Sequence, residues 1–92
     1  MKKIRITSVP PGFAPEDIRK QWLGVEIPLT GFDNNPEGLR MGIENMGGYK
    51  VNTQDAIDAL RTAGKEDAAN FWENFNLGST LVFKQECCEI VG

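Results

Sequence analysis

The chain contains no histidine, and its two cysteines, Cys87 and Cys88, are adjacent. The missing histidine removes the commonest general base and the commonest metal ligand. Adjacent cysteines do not make a disulfide framework, and without histidine or a second cysteine pair they cannot complete a zinc site. Their reduced pairing fits a cytoplasmic location. Successive strand residues point to opposite faces, so one thiol is expected in the core and the other outside. No apolar run has the length needed to cross a membrane, and MKKIRITSV lacks the apolar and small-residue regions of a signal peptide. No membrane partner is therefore expected.

Basic charge is also short. Lys and Arg number 10 against 13 Asp and Glu, for a net charge of −3. The first 46 residues hold six of each sign, and the rest hold four against seven, so the acidity lies in the second half. Nucleic-acid binding requires clustered cations to displace counterions, and three of them at Lys2, Lys3 and Arg5 do not form such a footprint. What remains is 40% apolar and 25% charged over 92 residues, the composition of one folded domain spanning 1–92. A domain this small is stabilised by only about 5–10 kcal/mol, and association is a common way to gain more.

The organising stretch is IRKQWLGVEIPL, residues 18–29. Ile18 and Trp22 lie one helical turn apart. Gly24 can end that helix in the left-handed conformation. Val25, Ile27 and Leu29 then alternate with Glu26 and Pro28 as in a strand. Before it, Ile4 and Ile6 alternate with Lys3, Arg5 and Thr7, which predicts a strand with one wet face. Val9-Pro10-Pro11-Gly12 ends it, and Phe13 is expected to anchor the loop. Pro15 suits a first helical position, with Glu16 and Asp17 at the start and Arg19 and Lys20 at the end in the sense the helix dipole favours. Pro28 cannot donate to a ladder and predicts a sheet edge or a bulge.

Residues 30–38, TGFDNNPEG, read as an exposed loop. Leu39, Met41 and Ile43 alternate as a further strand, and Gly47-Gly48 reads as a hairpin turn into Tyr49-Lys50-Val51. Asn52 or Thr53 caps a helix to about Ala63, with Ala56, Ile57, Leu60 and Ala63 as its stripe and Gly64 as its stop. A second helix over about 65–75 carries Ala68, Ala69, Trp72 and Phe75, with Phe71 beside them. Together they predict a helical hairpin. Residues 80–91 read as one last strand with a bulge or bend near 85–87, where the apolar phase changes. The expected fold is α+β: a small, strongly bent antiparallel sheet or SH3-like barrel of about five strands, one short helix, and a helical hairpin before the last strand.

Four runs carry a resemblance. VPPGFAPEDIRKQWLGVEIPL, GYKV, AANFWENF and LVFKQECCEIV resemble a group of small bacterial proteins of unknown function, sharing P-x-G-x-A-P…W-x-G-x-x-[IL]-P-L and a later A-A-x-[FW]-W helix. Such chains are similar to orphan reading frames of bacterial gene cassettes. The resemblance covers most of the chain and implies a stand-alone domain of small-barrel type. It assigns no activity and no site residue.

Several residue sets invite chemistry. Asp33, Asn35, Glu37, Gly38 and Glu44 have EF-hand spacing, but their flanks read as strands, Pro36 stiffens the middle, and Arg40 stands where an apolar residue is normal. Glu26, Glu44 and Glu86 lie on predicted strands, where spaced carboxylates are commonly the solvated face. No metal, cofactor or catalytic residue is expected. The expected function is a non-catalytic binding or interaction module that self-associates or takes a protein partner. Its patch would comprise Trp72, Phe71, Tyr49 and Arg40, residue types enriched at binding hot spots. The alternative is a small-molecule binder or enzyme. Its cavity would lie between the helical hairpin and the sheet, lined by Trp22, Tyr49 and Trp72, with Arg40 or Glu44 as polar contact.

Overall fold

A computed structural model describes residues 2–12, 14–33, 48–75 and 78–92, with the side chain of Asp33 excepted. Phe13, the expected strand over 39–43, and all of the EF-hand-like set but Asp33 lie outside the described residues. Five strands form one antiparallel sheet: β1 (Lys3–Ile6), β2 (Glu26–Asp33), β3 (Gly48–Asn52), β4 (Thr80–Lys84) and β5 (Cys88–Val91). Among the described residues three helices accompany it: α1 (Glu16–Arg19), α2 (Thr53–Thr62) and α3 (Glu66–Glu73). The architecture is α+β.

The strand order is β4-β3-β2-β1-β5. β4 and β5 are joined only by the 3-10 turn Gln85–Cys87, yet they occupy opposite ends of that order. The connection reaches at most about 15 Å from Lys84 to Cys88. Four flat interstrand spacings would need about 19 Å. The sheet is therefore strongly curled. It is open, not a closed barrel, because β4 and β5 share no ladder. The bend predicted at 85–87 is thus a break between two strands, not a bulge within one.

The curl is built into β2. Its first half pairs with β1 (Ile4 opposite Ile27) and its second half with β3 (Phe32 opposite Tyr49), with the register shifting between Leu29 and Gly31. Pro28 lies opposite Lys3 just before that shift, on an interior strand, so of the two expected settings the bulge is the relevant one. Residues 30–33, expected as loop, extend β2, and Gly48, expected in a turn, begins β3. Gly48 has a physical reason to be glycine. A Cβ there would stand 2.4 Å from the Phe83 carbonyl oxygen.

The helices follow from local chemistry. α1 makes a single turn after Pro15 and tightens into a 3-10 turn, Lys20–Trp22, shorter than the two α turns expected. Gly24 and Gly64 take φ of 82° and 79°, the left-handed exits their positions predicted. Asn52 caps α2 by accepting a hydrogen bond from the Asp55 N–H at 3.1 Å. Ala56, Ile57 and Leu60 of α2 and Ala68, Ala69 and Trp72 of α3 are buried. On the hairpin's outer side Arg61 bonds Asn70 and Glu73 and pairs with Glu66. The core lies between the hairpin and the curled sheet, with Ile4, Ile6, Val25, Ile27 and Val51 at its centre. On the wet face Arg5 bridges Glu26 of β2 at 2.8 Å and Glu89 of β5 at 2.7 Å.

Candidate functional site

The aromatic residues do not scatter through the core but form a chain of contacts. Phe83 meets Trp22 edge-on at 5.0 Å, Trp22 meets Trp72 at 6.2 Å, and Trp72 meets Phe71 at 5.1 Å. Phe71 packs on Phe75 at 4.8 Å. The chain therefore runs from the sheet, across the 3-10 turn and α3, to the surface. Trp22 is 2% exposed and Trp72 9%, whereas Phe75 is 43% exposed.

Beside this chain opens a cleft of about 230 Å³. Trp22, Trp72 and Phe83 form its floor. Leu81 and Val82 of β4 and Pro10, Pro11 and Gly12 line its sides. Arg19 stands at its rim, the one charged lining residue among the described residues. The Arg19 side chain also shapes the cleft. Nε donates to the Ala14 carbonyl at 2.8 Å and Nη1 to the Pro10 carbonyl at 3.2 Å. These bonds hold the proline wall at a fixed distance from α1.

Of the residues singled out from the sequence, Trp22 and Trp72 come together here. Phe71 sits behind Trp72, half-buried, and does not line the cleft. Tyr49 is half-buried on β3, in register with Phe32 and Phe83 and edge-on to Phe32 at 6.1 Å. It does not line the cleft either. Arg40 and Glu44 lie outside the described residues. The contributions of Arg19, Pro10, Pro11 and Val82 went unread. Arg19 served only to complement a helix dipole and the two prolines only to end a strand. A Pro-Pro pair a short loop away from an arginine and a tryptophan was the signal available.

A second hollow, about 490 Å³ and wide open, lies between α2 and β2. Its lining includes Lys3, Glu26, Asp55 and Asp58, charged groups with ready access to water. It lacks an aromatic wall, so size alone does not make it the better site. Among the described residues no group of three His, Cys, Asp or Glu could hold a metal ion. Cys87 is buried, its Sγ 4.0 Å from the Val9 carbonyl, and Cys88 is half-buried. Burial, aided by the neighbouring Cys87, pushes the Cys88 thiol up from 9.0 to about 11. A thiol so protonated at neutral pH is a poor nucleophile and a poor ligand.

Comparison with known proteins finds no matching family, no similar curated protein and no similar solved structure.

Proposed function

We propose that this chain is a non-catalytic binding module whose recognition site is the cleft between α3, the Pro10–Gly12 loop and β4. The observation that carries this reading is a solvent-open apolar hollow floored by two tryptophans and rimmed by one arginine. Among the described residues the one charged group lining the cleft is the Arg19 guanidinium, a fork of N–H donors suited to binding and orienting an anion. The strand order and the three-residue turn between β4 and β5 support the reading of the strongly bent sheet as SH3-like. That reading agrees with the small-barrel type implied by the resemblance to bacterial gene-cassette proteins.

Indole titrated into isotope-labelled protein tests the site. The expected result is a joint shift of the Trp22 and Trp72 side-chain N–H signals. Signals that stay fixed at saturating indole would remove the cleft as a recognition site.

Self-association is the second reading. Val82 on β4 and Ile90 on β5 place exposed apolar side chains on both free edges of the sheet. Exposed edge strands are templates for pairing with another chain. Light scattering over a wide concentration range checks it, and a constant monomer mass would remove it.

A further inference from the structure

Arg19 keeps part of its guanidinium free. Nε and Nη1 are used on the Ala14 and Pro10 carbonyls, and Nη2 has no partner among the described residues. The two bonds fix the plane of the group, so its remaining donors are held in place beside an apolar hollow. A carboxylate next to a bulky apolar group is the chemical complement of that arrangement.

The β4 side of the cleft is an edge of the sheet among the described residues. The Thr53 N–H donates to the Ser79 carbonyl at 3.0 Å, one step beyond the Asn52–Thr80 pair. Antiparallel ladders alternate hydrogen-bonded and non-bonded pairs. The main-chain groups of Thr80, Val82 and Lys84 therefore point away from β3, and no strand of the described residues lies on that side. Lys84 on this strand, and Lys50 opposite Val82, add positive charge near the edge, while Glu86 sits beyond it in the turn. Val82 is 43% exposed at the middle of the strand.

Size then separates two classes of ligand. A hollow of about 230 Å³ holds one large side chain. Whole small-molecule ligands usually occupy about 300–1,000 Å³. The rest of a ligand anchored here must lie outside, where the main-chain groups of β4 are.

We propose that the partner is an extended peptide segment that lies along the β4 edge, inserts one bulky apolar side chain into the cleft, and places an Asp or Glu on Arg19. Strand addition of this kind draws affinity from main-chain hydrogen bonds and selectivity from side-chain pockets. The inference rests on the cleft being the recognition site, and indole binding tests that separately.

A random peptide library displayed on phage, selected against the full chain at low salt, is the experiment. Selected peptides are expected to carry Asp or Glu within two residues of Trp, Phe, Leu or Ile. A synthetic copy with that acid replaced by its amide should bind about fivefold more weakly to the parent protein and no more weakly to Arg19→Gln. Val82→Glu changes an exposed side chain, so it leaves folding intact, and it should weaken the acidic peptide about tenfold through repulsion at the edge. Selection of peptides without an acid, or equal binding to Val82→Glu, overturns the proposal. So does a failure to select any peptide. If indole still moves the tryptophan signals, the cleft stands and only its peptide partner falls.

Discussion

Removing Trp22 tests the core and the cleft at once. Its ring is 2% exposed and touches Phe83 and Trp72 at centroid distances of 5.0 and 6.2 Å. Replacing a buried aromatic by alanine costs about 3–5 kcal/mol, a range that includes lost ring contacts of roughly 0.5–1.5 kcal/mol each. A chain of 92 residues has a total stability of about 5–10 kcal/mol. Trp22→Ala therefore removes between about a third and all of it. Near the midpoint each kcal/mol is worth about 4–8 °C in a domain of this size, so a loss of 4 kcal/mol lowers Tm by about 16–32 °C. Circular dichroism melts of the parent and the variant read this directly. The neighbouring Leu23, 41% exposed, supplies the control, and Leu23→Ala should cost less than about 0.5 kcal/mol. A Trp22→Ala protein melting within about 5 °C of the parent would refute the claim that Trp22 ties the sheet to the helical hairpin.

Two further predictions concern the backbone and the thiols. Gly48→Ala would force a methyl group to 2.4 Å from the Phe83 carbonyl oxygen and 2.7 Å from Val82 Cγ1. Urea unfolding should show a loss of about 1–3 kcal/mol, while Gly31→Ala, with nothing within 4 Å of its new Cβ, should be neutral or slightly stabilising. Cys88 titrates at about 11 in the folded chain against an ordinary 9.0. Between those values the folded state holds a proton that the unfolded state has released, so stability is level below the lower value and falls as pH rises to the upper. The rate of Cys88 labelling by iodoacetamide, read by mass spectrometry, should inflect near 11 in native protein and near 9 in urea. A native inflection at or below 9 would show that the thiol is not buried as described.

Much of the fold was legible where one local rule dominated. Ile4 and Ile6 alternate and are buried, and Ala56, Ile57 and Leu60 recur at helical spacing and are buried. Gly24 and Gly64 stand where only glycine exits a helix easily. Long-range pairing was not legible. Residues 80–91 look like one strand because apolar spacing cannot say whether a change of phase is a bulge or a break. The outcome depends on β1 being present to take Cys88–Val91 opposite Ile6–Lys3. Likewise TGFD reads as turn by composition, but pairing with β3 holds Gly31–Asp33 in the ladder. The candidate site was half legible. Trp22 and Trp72 stand out as large aromatics, but their meeting required two elements far apart in sequence to converge. Arg19 became visible only through the carbonyls it holds.

The first strand of this chain lies between a neighbour some twenty residues later and another more than eighty residues later. A growing polypeptide therefore offers β1 half its hydrogen bonds early and the other half only after residues 88–91 have been synthesised. Until then its outer edge stays open to pairing with other chains. Such distant contacts raise the contact order, so folding should be slower than in helical bundles of this length, in milliseconds to seconds rather than microseconds.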